Sequence, residues 1–108
     1  MVTIPDQIEK YLKAYLEVIS DIIPIEKAIL FGSYAKGTFT KESDIDLAIF
    51  SNYFDNKERI DNFRLLFLEA MNFPIDLQPQ PFTNEELHNP EGLVAEIIKT
   101  GIEIKLNH

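Results

Sequence analysis

The stretch from Lys27 to Phe50 constrains the fold of this chain more than any other. Lys27-Ala28-Ile29-Leu30-Phe31 is a short apolar run that stops at Gly32, and Ile45-Asp46-Leu47-Ala48-Ile49-Phe50 is a second one. Both have the length of buried strands, and neither has room for two turns of helix. Between them lie Gly32, Gly37 and the hydroxyl residues Ser33, Thr38, Thr40 and Ser43, which read as a loop with at most one helical turn. Helical patterns flank this unit on both sides.

Before it, Ile8, Tyr11, Leu12, Tyr15, Leu16 and Ile19 fall at steps of three and four. That spacing predicts an amphipathic helix over residues 4–22, with Thr3 as its N-cap, Pro5 in the first turn and Pro24 beyond its end. After it, Ile60, Phe63, Leu66, Phe67, Ala70 and Met71 trace a second face over 56–72, broken by Pro74. Phe73–Gln78 reads as a third strand, Pro79 and Pro81 as a connector, and Asn84-Glu85-Glu86-Leu87 as a capped helix start. A last helix over 91–100 turns Leu93, Val94, Ile97 and Ile98 inward and stops at Gly101. Ile102–Leu106 alternates like an edge strand. The sum is one α+β domain over residues 1–108, a small mixed sheet of three or four strands covered by helices. The helices at 4–22, 56–72 and 91–100 are expected to share one face of that sheet.

Composition narrows the partners. Eighteen acidic residues stand against ten basic ones, a net charge of −8, and the pI is near 4.6. Nucleic-acid affinity rests on Lys and Arg neutralising phosphates, so the charge argues against a broad nucleic-acid footprint. Lys27, Lys36 and Lys41 leave room only for a local basic groove, and a protein or small-molecule partner is expected. There is no cysteine, which removes disulfides and thiolate metal sites. No basic leader followed by an apolar stretch opens the chain, and no run approaches the ~18 apolar residues of a membrane span. A cytoplasmic protein is the expectation.

The acids carry the chemistry. If Ile45, Leu47 and Ile49 face a core, period-two geometry puts Asp44 and Asp46 together on the opposite face, ~7 Å apart along the strand. Two carboxylates so placed repel, and a divalent cation relieves them. Two hard cations about 3.5–4 Å apart share such carboxylates and grip phosphate oxygens. An isolated Asp-x-Asp is otherwise a solvated strand start, and an isolated Gly-Ser an everyday turn. Here a strand ends in Gly32-Ser33, where a residue without a Cβ lets backbone N–H groups approach an anion. After ten intervening residues comes Asp44-Ile45-Asp46, and Asp76 adds a third acid between Ile75 and Leu77. The conjunction at fixed spacing is what carries weight.

These residues resemble the minimal nucleotidyltransferases of the DNA polymerase β superfamily. The likeness lies in Leu30-Phe31-Gly32-Ser33-Tyr34-Ala35-Lys36-Gly37-Thr38 and in Ser43-Asp44-Ile45-Asp46-Leu47-Ala48-Ile49, and the element order extends it over the whole chain. The resemblance implies that Gly32, Ser33, Lys36 and Ser43 bind the nucleotide and that Asp44, Asp46 and Asp76 bind two Mg²⁺ ions. Asp76 would also act as base toward the attacking hydroxyl, with ATP as substrate and pyrophosphate leaving. Lys36 departs from the Arg that relatives often carry, keeping the charge without the bidentate fork.

Larger relatives bind their acceptor with a second domain, for which 108 residues leave no room. Chains of this size resemble the antitoxin half of toxin–antitoxin pairs whose toxin is a HEPN-domain ribonuclease. That resemblance implies transfer of AMP to a toxin tyrosine, with neutralisation by binding alone, or a small-molecule acceptor such as an aminoglycoside, as the alternatives. Tyr34 and Phe39 are candidates to stack on a base, with packing as the plainer role. Tyr11 and Tyr15 belong to the core or to an interface, and homo- or hetero-oligomers both stay open. His88 and His108 have no ligand-like spacing.

Overall fold

Strand β2 (Ile45–Phe50) occupies an inner position of a four-stranded sheet, between β1 (Lys27–Phe31) and β3 (Leu77–Phe82), and β4 (Ile102–Glu103) lies outside β1. The computed structural model describes residues 4–106. β1 pairs antiparallel with β2 and β4, while β2 and β3 run parallel, so the sheet is mixed as expected. The parallel pair needs a crossover, which α3 (Arg59–Ala70) supplies. α1 is Asp6–Ser20, with Pro5 at its N-cap position and the Pro5 carbonyl accepting from Glu9 N at 3.0 Å. The Thr3 cap lies outside the described residues. Both strands around Gly32 have the bounds read from the sequence.

α1 and α3 cover one face. Leu12, Tyr15, Leu16 and Ile19 of α1, with Leu66 and Ala70 of α3, pack on Ala28, Leu30, Ile45, Leu47 and Ile49. The buried Tyr15 hydroxyl donates to the Leu66 carbonyl at 2.7 Å and ties the two helices together. Burial, reinforced by the charge of Glu69, pushes the phenol pKa far above its ordinary value. The hydroxyl therefore stays protonated.

The third helix corrects an expectation. α5 (Gly92–Thr100) packs on the opposite face, the one that carries Asp46, where Val94 and Ile97 meet Ile29, Ala48, Phe50 and Phe82. The reason lies in β2: Leu47, Ala48, Ile49 and Phe50 are all fully buried, so both faces of this strand need a cover. Leaving Phe50 bare would forfeit about 1.5–3 kcal/mol of burial. Leu93 and Ile98, expected inward, are exposed, because only one narrow side of α5 touches the sheet.

Pro79 and Pro81 also depart from the reading as a connector, since both lie within β3. The carbonyls of Asp76 and Phe82 accept from Ile45 N and Ser51 N of the β2 side, at 2.8 and 3.0 Å. The Pro81 carbonyl faces the other way and accepts from Arg59 Nη1 at 2.7 Å. The prolines thus take the outward positions of an edge strand, where a missing N–H breaks no ladder bond. They also blunt that edge against further strands.

α4 (Asn84–His88) starts with a full capping box between Thr83 and Glu86. Gly101 ends α5 without a left-handed backbone, at φ −79°. Its small size is what matters: an added Cβ would meet Ile97 O at 2.5 Å and Leu30 O at 2.9 Å. β4 is only two residues long, although Ile104 N continues the pairing to Ala28 O at 2.9 Å.

Candidate active site

Alternation along β2 aims Asp46 to the α5 side, and Asp44 precedes the strand at the same parity. The parallel register sets Ile45 opposite Leu77 and Asp46 opposite Gln78, so Asp76 falls beside Asp44 one step earlier. The bond from Ile45 N to Asp76 O fastens that step. The Asp44 and Asp76 carboxyls are in hydrogen-bond contact, which, with the Asp76 charge, raises the Asp44 pKa. Partial burial raises that of Asp46, and the charge of Asp44 adds to it. Asp44 thus feels Asp76 on one side, and Asp46 feels Asp44 on the other.

Gly32 closes it from above. Phe31 pairs with Asp46 across the sheet, and the chain turns at Gly32 with φ 76° and ψ −150°, a region open to glycine almost alone. An added Cβ would run into Asp46 Oδ2. The turn thus leaves no room for a side chain between itself and the Asp46 carboxylate. α2 (Ser33–Lys36) follows, locked by Lys36 N to Gly32 O and Thr38 N to Ser33 O, at 3.1 and 3.0 Å. Its first N–H groups lack helical acceptors and remain available to an anion.

The other sequence candidates separate. Ser43 Oγ accepts from Thr40 N at 2.8 Å and shapes the turn that delivers Asp44. Lys36 is exposed and lines a cleft of ≈ 160 Å³ with Phe31, Gly32, Leu93, Glu96, Ile97 and Thr100. Tyr34 and Phe39 stack on each other at 4.4 Å between ring centroids, the packing role. Exposed His88 sits at the end of α4, and His108 is outside the described residues.

Sequence reasoning missed that α5 walls this cleft and that Gln78 stands beside Asp46. The signal for the first was present in the unbroken apolar run Leu47–Phe50, which has no face left for water.

The donor set suits an oxygen-preferring divalent cation. Among the described residues, no three His, Asp or Glu side chains form a ready-made cage.

Residues 6–107 match the model of the family described as polymerase beta, nucleotidyltransferase. The chain belongs to that family. It is a small nucleotidyltransferase. A Methanocaldococcus jannaschii protein named "Putative protein adenylyltransferase MJ1379" is 29% identical over 84 residues, which span 78% of this chain and 82% of the relative. A second from the same organism, "Putative protein adenylyltransferase MJ0604", is 68% identical over 25 residues, 23% of this chain and 25% of its own length. A crystal structure of a "putative nucleotidyltransferase" from Sulfolobus solfataricus superposes with a TM-score of 0.65 at 19% identity, covering 77% of this chain and 73% of that one. That last likeness speaks for the fold.

Proposed function

We propose that this nucleotidyltransferase is an Mg²⁺-dependent adenylyltransferase that moves AMP from ATP to a tyrosine hydroxyl of a HEPN-type toxin. It acts as that toxin's antitoxin in the cytoplasm. The observation that carries the reading is the meeting of Asp44, Asp46 and Asp76 beneath the Gly32 turn. Acids from two strands, packed against a backbone that only glycine tolerates, are a costly arrangement for a merely structural role.

The two relatives' names make a protein acceptor the natural choice, and the net charge of −8 suits a basic partner. Bound Mg²⁺, held by Asp44, Asp46 and Asp76, would supply charge neutralisation on the phosphates. The N–H groups after Gly32, with the Ser33 hydroxyl and Lys36, hold and orient the triphosphate. Asp76, exposed just before the edge strand, takes the proton of the attacking hydroxyl. The new oxygen–α-phosphorus bond forms as the bond to pyrophosphate breaks.

The test is to incubate the protein with a HEPN-type toxin, α-labelled ATP and Mg²⁺, beside Asp44→Ala. Label on a toxin tyrosine with the wild type alone is the expected result. Toxin silenced without label would replace transfer by plain binding, and label on a small molecule without toxin would move the acceptor class.

A further inference from the structure

α3 presents more apolar surface to solvent than its packing needs. Its buried side is Asn62, Leu66 and Ala70. Outside that side, Ile60, Phe63, Phe67 and Met71 follow one another at steps of three and four and therefore form one ridge. Ile60 is 62% exposed, Met71 65%, and the adjoining Leu68 57%. Phe63 and Phe67 stack at 5.4 Å and stay half-buried. The ridge leads to a groove of ≈ 280 Å³ whose eight lining residues include Phe67, Met71, Phe73, Ile75 and Asp76. An exposed apolar strip and a cavity that ends at a catalytic acid are independent features, and here they are continuous.

We propose that this ridge and groove dock the acceptor, a protein segment that presents one aromatic hydroxyl side chain among basic residues. The inference rests on the transferase reading given above and adds the route by which the acceptor arrives. The groove is below the ~300 Å³ at which pockets for drug-sized ligands begin, and it is roomy for a single aromatic ring. Phe67, Met71, Phe73 and Ile75 offer ring, thioether and aliphatic contacts to such a ring, where a serine would leave them unfilled. Asp76 at the mouth meets the hydroxyl: its carboxylate accepts the phenolic proton as the oxygen bonds to the α-phosphorus and pyrophosphate departs. None of the eight lining residues is Lys or Arg, and Asp44 adjoins Asp76. Basic flanks on the acceptor match that charge.

The chain has only two methionines, Met1 and Met71, so a methyl-labelled methionine spectrum reports the groove directly. The probe is a synthetic peptide with one tyrosine flanked by lysines and arginines, beside its phenylalanine and serine versions. The tyrosine and phenylalanine peptides should shift the Met71 methyl signal, and the serine peptide should not. With labelled ATP and Mg²⁺, Met71→Lys and Leu68→Lys should each raise KM for the tyrosine peptide about tenfold and leave KM for ATP unchanged. Met71→Leu should restore it. Transfer to the peptide with an unmoved Met71 signal and unchanged KM overturns the docking surface but leaves the transferase reading intact. A Met71 signal that moves with protein concentration alone makes the ridge a contact between two copies and overturns it too. Groove binding without transfer to any acceptor, in a protein that binds ATP, overturns the transferase reading and with it the acceptor role of the groove.

Discussion

The two faces of the sheet are made of the same strands and turn out opposite in character. On the α1–α3 side, Ile45, Leu47 and Ile49 of β2 are buried in a continuous aliphatic layer with Leu12, Leu16 and Leu66. On the α5 side, the alternate positions begin with exposed Asp44 and half-buried Asp46 and end with fully buried Ala48 and Phe50. Only half of that second face is packed. The helix that covers it reaches as far as Gly32 and stops short of the acids. One strand thus anchors a core and holds a charge cluster, and the cluster survives because a core lies directly behind it.

Neighbouring substitutions in β2 should separate the two faces most sharply. Asp46→Asn should lower transfer about 10²–10³-fold, the range for losing one preorganised electrostatic group. Its urea midpoint should not fall, since a desolvated carboxylate beside a like charge has been removed. A matched fall in stability would place Asp46 on the structural side of the comparison. One residue on, Leu47→Ala should cost ~2–5 kcal/mol of unfolding free energy, because its site is fully enclosed. Urea denaturation checks this, and a cost below about 1 kcal/mol would mean that the α1–α3 layer collapses around the gap.

Gly32→Ala joins the two faces' requirements at one residue. The positive φ and the blocked approach to Asp46 should cost roughly 1–3 kcal/mol and most of the activity. Circular dichroism and label transfer measure the two effects. Retained transfer would mean that the phosphate contacts do not depend on this turn.

The smallest effect is electrostatic. Without Mg²⁺, the raised pKa values of Asp44 and Asp46 mean that the folded cluster holds protons the unfolded chain releases. That contribution is complete below the ordinary carboxylate pKa near ~3.9 and is lost as pH rises through the raised values. The Tm difference between wild type and Asp44→Asn should therefore turn against the wild type on going from acidic to neutral pH. Mg²⁺ with ATP should reverse that trend. A difference that ignores pH would show that the acids do not sense one another.

The site is legible in the sequence where its geometry is local. Period-two alternation alone puts Asp44 and Asp46 on one side of a strand, and the Gly-Ser turn follows from a strand that stops at glycine. Asp76 stands out as a third acid, but the sequence pattern starts its strand too early, since Pro79 and Pro81 look like a break. Their tolerance depends on which side of the strand faces β2, a property of the sheet edge rather than of the residues. Likewise the inward side of α5 is not marked by its own pattern, because Leu93 and Ile98 are as apolar as Val94 and Ile97.

Local residue order was thus enough for β1 and β2, the helices on either side of them, the glycine at the turn and the side of β2 that bears acids. Each follows from covalent geometry and nearest-neighbour preference. Long-range packing settled that Asp76 meets Asp44, that α5 covers the end of the acid-bearing face that carries Ala48 and Phe50, and that an apolar ridge of α3 runs up to the edge that carries Asp76. Those depend on which strands pair and in which direction. They depend also on where buried side chains of distant segments find cover, and such choices are settled by the whole chain competing at once for burial and backbone hydrogen bonds.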